Sequence, residues 1–347
     1  MPTPDRERPP AATSTAALTR WAVSELTAAS ADTVVSLNAR LASRVTVGGR
    51  AGSGFGSILE VEWGDEVARR LRDSAAELDA PAALELAWMT ENGYNDFALI
   101  DDTLGAAGYW TPENRVGEVL RVEVKSMALG ATEPKAHFDA LASEIGPHDL
   151  LVVLMWRWDD VPNRPGRVRP LVVDTWVGSA LAIAELRDAL HVARGGTFVT
   201  ADTCLDRCGR SCPHVGEPLN SKGTRERLSG PRASVTGDAT HAANFGGLVR
   251  MLKVRSASIG VLAAACANDT ARDFVDFIHT YLPDEELHAF PRPLWSEAAR
   301  LLDCPADTPV EDIRRIGAYR DALFCAAHLL SDRDRSRTAS STVSGRD

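Results

Sequence analysis

The chain has 347 residues, of which 44% are hydrophobic and 25% are charged, and it carries a formal net charge of −10 at pH 7. This length provides one large or two modest domains with buried cores, and no apolar run approaches the roughly 18 residues of a membrane span. The N-terminus lacks a charged-then-apolar signal pattern, and six cysteines do not make a disulfide scaffold, so we expect a cytoplasmic protein that has no membrane partner.

Helical and strand patterns alternate along the first half of the chain. A Gly-rich stretch at 48–56 lacks the Gly-Lys-Ser/Thr ending of a phosphate-binding P-loop, and we interpret it as a flexible connector. Helices are predicted at 14–43, 65–78, 132–145 (with Thr132 as N-cap) and 179–193, and strands at 83–89, 96–101, 119–125, 150–156 and 170–177. This order predicts an α/β protein with a mixed sheet flanked by helices.

Charged and apolar residues alternate on the strand predicted at 119–125. A period of two places Glu123 and Lys125 on one face and the apolar residues on the other. A second carboxylate, Asp96, begins a neighbouring strand. Carboxylate oxygens hold the hard cation Mg²⁺, and waters on the metal become nucleophiles for phosphodiester cleavage. Two carboxylates that converge beside a lysine therefore predict a magnesium site for this reaction.

The order of a helix, a strand with Asp, a strand with Glu-x-Lys and a second helix resembles the PD-(D/E)XK nuclease superfamily. Within this superfamily, the amino-acid sequence of residues 88–97 and 122–126 is similar to that of the restriction-endonuclease-like domain at the C-terminus of the plant protein NO VEIN and its bacterial relatives. The resemblance covers residues 60–180. It implies a restriction-endonuclease-like fold and an Mg-dependent endonuclease-type hydrolase that acts on DNA rather than RNA, and a role in restriction would suit it.

The resemblance also implies a role for each of four residues. Asp96 and Glu123 would bind the catalytic Mg²⁺ or Mn²⁺, and Lys125 would be the catalytic lysine. Glu66 lies where the family has a glutamate on its helix.

The connection between the two implied metal ligands leaves an alternative open. It is 26 residues long, which is long for this family, and two further acidic residues lie near its start. Asp101 or Asp102 therefore remains an alternative to Asp96 as the second ligand.

Three of the six cysteines lie close together and next to a histidine. Cys204, Cys208, Cys212 and His214 span eleven residues and together can wrap one tetrahedral Zn²⁺. The spacing of three residues between cysteines is unusual, and an Fe–S cluster or redox-active free thiols are the alternatives. We predict a structural zinc.

The region from 194 to 255 is basic within an acidic chain. It has ten Lys or Arg against five Asp or Glu, a net charge of +5. Lys222, Arg225, Arg227 and Arg232 lie in a polar stretch with several Gly and Pro, which predicts a surface loop. Such cations contact phosphates without reading sequence, and the alternative is an ordinary solvated loop.

These patterns predict five segments and one preferred function. The segments are an N-terminal tail, helix and connector (1–56), a PD-(D/E)XK nuclease-like domain (57–195), a Cys/His-rich basic insertion (196–240), a helical C-terminal domain (241–332) and a disordered tail (333–347). The preferred function is a metal-dependent nuclease. A catalytically inactive DNA-binding or scaffold protein of the same fold and a zinc-organised protein-interaction module are the alternatives. A homodimer or a partner subunit stays open.

Overall fold

A computed structural model gives the structure of the chain. It describes residues 15–47, 55–76, 84–89, 95–101, 111, 114–129, 138–193, 195–202, 204, 214–219, 248, 259–265, 268–281 and 291–343. The described residues up to Leu181, apart from 138–141, form one compact unit, and 138–141 with the described residues from Ala182 onward form a second. Among the described helices, none combines the length and the apolar character needed to cross a bilayer.

The first unit is a mixed sheet with helices. Its elements are α1 (Thr15–Leu41), β1 (Thr46–Val47), α2 (Phe55–Ala75), β2 (Leu84–Trp88), β3 (Phe97–Asp101), β4 (Glu118–Ala128), β5 (Leu150–Asp160) and β6 (Arg167–Ser179), after which α3 (Ala180–Ala193) begins. The strand order is β1-β6-β5-β4-β3-β2. Strands β4 and β5 are parallel, and the other neighbouring pairs are antiparallel. The predicted α/β class is therefore confirmed.

The main core of this unit lies between the sheet and the helices α1 and α2. Val122 and Val124 of β4 are fully buried in it. Because side chains alternate along a strand, Glu123 and Lys125 point to the opposite face of β4, as the alternation predicts. Helix α1 packs on α2 and β6, so it belongs to the sheet unit.

Helix α2 begins at Phe55, ten residues before the predicted start. Its buried residues Leu59, Trp63, Val67 and Leu71 recur every four positions and are at most 2% exposed. This spacing forms one apolar stripe on a helix. The stripe extends the helix back into the end of the Gly-rich stretch.

A glycine in the middle of α2 explains part of the difference between the predicted and the observed start of this helix. Glycine weakens a helix interior, so Gly64 argues locally against a continuous helix. A Cβ atom at this position, however, would lie 2.3 Å from ring atoms of Phe97. The tertiary contact requires glycine, and packing of the neighbouring turns keeps the helix intact.

The helix predicted at 132–145 is wrong for its described part. Residues 138–141 are not helical, and Ala142–Glu144 form a single 3-10 turn. Arg187 of α3 donates from Nη1 to the carbonyl oxygen of Phe138 at 2.8 Å, and its guanidinium lies 5.6 Å from the centre of the Phe138 ring. These contacts use a carbonyl group that a helix would need, and they hold the segment in an irregular conformation.

The second unit contains a short ribbon and several helices. Its elements are β7 (Thr197–Phe198) paired with β8 (Pro218–Leu219), then α4 (Ile259–Ala265), α5 (Asp269–Tyr281), α6 (Arg292–Leu301), α7 (Val310–Arg314) and α8 (Tyr319–Val343). From Ile259 onward, the described elements are all helices. Residues 333–343, predicted as disordered, continue α8, and Arg333 contacts Glu297 of α6 at 3.2 Å.

Candidate active site

The candidate site lies where β4 continues beyond the end of β3. Strand β3 begins at Phe97 opposite Val122, whereas β4 runs on to Ala128. Asp96 donates its backbone N–H to the Val122 carbonyl oxygen at 3.0 Å, and its Oδ2 accepts the N–H of Val124 at 2.7 Å. Beyond the end of β3, the Asp96 carboxylate thus accepts a hydrogen bond that a backbone carbonyl of a paired strand would otherwise accept. Asp96 is thereby fixed at the open edge of β4.

The next amide along this edge binds a carboxylate that the sequence analysis did not select. Glu60 of α2 accepts hydrogen bonds from the backbone N–H and the hydroxyl of Ser126. The N–H groups of Val124 and Ser126 point to the same side of β4, about 7 Å apart. Glu60 and Asp96 therefore occupy successive positions along one strand edge.

Glu123 and Lys125 complete the cluster. Lys125 Nζ lies 2.5 Å from Glu123 Oε1, and Glu123 is 6% exposed. Burial alone would lower the pKa of Lys125, but the carboxylates of Glu123, Asp96 and Glu60 outweigh it and raise the pKa above its usual value. Burial and then Asp96 raise the pKa of Glu60, while Lys125 and Ser126 oppose them. The four side chains are therefore electrostatically coupled.

The cluster suits a divalent cation in its chemistry. Three carboxylates and one ammonium give it a formal charge of −2, and carboxylate oxygens are ligands that Mg²⁺ and Mn²⁺ favour. Within the described ranges, no three His, Cys, Asp or Glu side chains are arranged to hold a metal ion. Mg²⁺ usually binds one or two protein carboxylates together with waters and substrate phosphate. The carboxylates of this cluster are therefore ligands of a suitable chemical type.

Of the two alternative aspartates, the structure describes Asp101, which lies away from this cluster. Asp101 lies at the other end of β3, opposite Leu84, and its N–H binds the Gly117 carbonyl oxygen. It follows Asp96 by five positions, which is about 16 Å along a strand. Asp102 lies outside the described residues. The structure thus brings Asp96, and not Asp101, to Glu123 and Lys125.

Glu66 lies elsewhere on α2, so its placement at the site needs correction. It follows Glu60 by six positions, which turns it by about 120° around the helix and moves it about 9 Å along the axis. Its carboxylate pairs with Arg69 at 2.5 Å, Arg70 at 3.3 Å and Arg40 at 3.8 Å. Hydrogen bonding from Arg69 outweighs burial and lowers the pKa of Glu66 to about 2. Glu60 is the glutamate that α2 brings to the cluster.

Two of the four predicted zinc ligands are described. Cys204 is 5% exposed and packs beside the β7–β8 ribbon. His214 is 6% exposed, and its Nδ1 lies 3.0 Å from Glu217 Oε1. A carboxylate on Nδ1 directs Nε2 toward a metal, which is common around zinc-bound histidines. Cys208 and Cys212 lie outside the described residues.

The predicted phosphate-binding residues of the basic segment are Lys222, Arg225, Arg227 and Arg232, and all four lie outside the described residues. Their part in binding therefore rests on charge and composition.

Comparison with known proteins finds no match for this chain. No family model, no curated protein and no solved structure matches the chain.

Proposed function

We propose that the protein is a metal-dependent nuclease that hydrolyses phosphodiester bonds, with DNA as the preferred substrate. The observation that carries the proposal is the convergence of Glu60, Asp96, Glu123 and Lys125 on the open edge of β4. These side chains have an excess of two negative charges. A divalent cation would offset this excess and would attract the phosphate group of a nucleic acid.

The order of elements around the site supports a nuclease of the PD-(D/E)XK type. Helix α2 carries an acidic residue to the site, β2, β3 and β4 form an antiparallel meander, and β5 returns parallel to β4. The aspartate precedes β3, and the Glu-x-Lys residues lie on β4. This is the arrangement that the resemblance of residues 60–180 leads us to expect, and it favours a restriction-endonuclease-like fold.

Each residue has a distinct part in this proposal. Asp96 and Glu123, with Glu60 beside them, would hold Mg²⁺ or Mn²⁺, which when bound would supply Lewis acidity and a more acidic water. Lys125 keeps its proton because the carboxylates raise its pKa. As a cation it would orient the attacking water and offset charge on the phosphate.

One experiment separates the proposal from its two alternatives. Supercoiled plasmid and single-stranded DNA are incubated with the protein in Mg²⁺ or Mn²⁺ and again in EDTA, with Glu123→Ala as the control for a contaminating nuclease. Metal-dependent cleavage by the wild type alone supports the proposal. Binding without cleavage indicates an inactive DNA-binding protein. If the protein neither binds nor cleaves DNA, the zinc-organised interaction module is the remaining alternative.

The basic segment gives a prediction about salt. If it contacts phosphates, the affinity for labelled DNA in EDTA should fall with log[salt], at a slope of about −0.9 per contact. The double variant Arg225→Ala with Arg227→Ala should flatten this slope by up to about two units. The matched control replaces Arg292 and Arg315, two exposed arginines of the helical region, and should leave the slope unchanged. An affinity independent of salt would show that the segment is only a solvated loop.

The cysteine cluster gives a prediction about zinc. We propose that Cys204, Cys208, Cys212 and His214 hold one structural zinc, and the contact between His214 and Glu217 supports this. Elemental analysis of protein purified without added metal should find about one zinc per chain, and Cys208→Ser should lose it. The control Cys304→Ser should keep its zinc. No zinc, or iron with visible absorbance, would contradict the assignment.

A further inference from the structure

We propose that Ser126 is a positioning residue, whose hydroxyl holds the Glu60 carboxylate at the metal-binding edge of β4, and that Gly56 is a glycine because any larger residue would displace this hydroxyl. The inference rests on the proposed function. It extends that function by assigning a task to two residues that touch neither the phosphate nor the metal.

The contacts of the two edge carboxylates differ in a way that explains the need for Ser126. Asp96 adjoins β3, and it is fixed to β4 twice: its backbone N–H donates to the Val122 carbonyl oxygen, and its Oδ2 accepts the N–H of Val124. Glu60 comes from a separate element, α2, and has a longer side chain with more rotamers to restrict. The backbone N–H of Ser126 gives Glu60 one hydrogen bond, and the hydroxyl gives it a second. Only the second depends on the identity of residue 126.

Gly56 shows how closely α2 approaches this hydroxyl. It precedes Glu60 by four positions and therefore lies on the same side of the helix, one turn earlier. A Cβ atom at residue 56 would lie 2.4 Å from Ser126 Oγ but 3.7 Å from Ser126 Cβ. The first distance is a severe overlap, and the second is an ordinary contact. A side chain at position 56 would thus rotate the hydroxyl away from Glu60 without pushing α2 off the sheet.

This geometry predicts a specific non-additivity. Ser126→Ala removes the hydroxyl, and Gly56→Ala displaces it, so each variant deprives Glu60 of the same hydrogen bond. Once the hydroxyl is absent, the new methyl group at position 56 meets Ser126 Cβ, or its alanine equivalent, at 3.7 Å and Glu60 Oε1 at 3.9 Å, and both are ordinary contacts. The double variant should therefore be no worse than Ser126→Ala alone.

The test measures the affinity of the full-length chain for Mn²⁺ and Mg²⁺ by calorimetry in the absence of DNA, together with melting temperature and cleavage rate. Ser126→Ala and Gly56→Ala should each weaken metal affinity by about 10- to 100-fold while leaving the melting temperature close to that of the wild type. The matched control is Ser57→Ala, which replaces an exposed serine on the same turn of α2, and it should change nothing.

The outcomes distinguish this inference from the proposed function. If the wild type binds the metal and cleaves DNA but Ser126→Ala binds the metal as tightly, the positioning role is overturned and the nuclease stands. Losses that add in the double variant also overturn it, because they would show two independent effects. A wild type that neither binds the metal nor cleaves DNA overturns both. If Ser126→Ala does not fold, Gly56→Ala alone supplies the affinity comparison with Ser57→Ala.

Discussion

Glu123→Ala and Lys125→Ala are each expected to reduce metal-dependent cleavage by a factor of about 10³ or more, because each variant removes a group that acts on the metal, the water or the phosphate. Neither side chain belongs to the apolar face of β4, which Val122 and Val124 fill. The fold should therefore persist in both variants. Cleavage of labelled DNA and circular dichroism on the same preparations measure the two effects.

The choice between aspartates belongs to the same experiment. Asp96→Asn should lose cleavage, since it changes a carboxylate at the cluster, while Asp101→Asn should keep its rate per folded molecule. Asp101 lies at the other end of β3, and its substitution tests only whether a carboxylate on that strand matters. If Glu123→Ala and Lys125→Ala cleave DNA at the wild-type rate, the assignment of this site is wrong.

Two glutamates on one helix should respond in opposite ways to the same isosteric change. Glu60→Gln should weaken metal binding and cleavage without loss of stability. Burial and Asp96 raise the pKa of Glu60, so its charged form opposes folding at pH 7, and neutralising it should leave the melting temperature equal or higher. Such a trade of stability for activity is typical of functional sites.

Glu66→Gln should instead lower stability and leave the chemistry intact. The pKa of Glu66 is about 2, below its ordinary value of 4.5, chiefly because Arg69 donates to it. The carboxylate therefore stabilises the fold above pH 4.5, and this contribution is lost as the pH falls toward 2. We expect Glu66→Gln to reduce the free energy of unfolding at pH 7 by about 1–3 kcal/mol, since its arginine partners are partly exposed.

Denaturant unfolding at pH 7 and at low pH checks this pair. The difference between wild type and Glu66→Gln should shrink as the pH is lowered through the range from 4.5 to 2. The converse pattern, with activity lost in Glu66→Gln and stability lost in Glu60→Gln, would return Glu66 to the site and refute the assignment of Glu60.

The difference between these glutamates also shows which parts of the site were predictable from sequence. Glu123 and Lys125 could be found because alternation along a strand is a local pattern. Glu60 could not be placed by the resemblance, because its role depends on where α2 begins. Gly64 weakens the local helical signal, and only its contact with Phe97 explains why a glycine is there. The spacing of Leu59, Trp63, Val67 and Leu71 was the available signal for the longer helix.

The segment before β5 illustrates the same limit. Its N-cap and apolar spacing predict a helix. The carbonyl oxygen of Phe138, however, accepts a hydrogen bond from Arg187, which lies 49 positions later in the chain. A contact at that separation leaves no trace in local periodicity. Tertiary structure decided the conformation of this segment, as it decided the start of α2.

The open edge of β4 has a consequence for solubility. Unpaired amides on a strand edge can bind a strand from another molecule, and proteins commonly protect such edges. Here Asp96 covers the amide of Val124, and Glu60 covers that of Ser126. The two carboxylates thus satisfy donors to which a strand from another molecule would otherwise bind. Truncating both side chains would expose two adjacent donors, so amide-for-acid substitutions are better suited to activity measurements than alanine at these two positions.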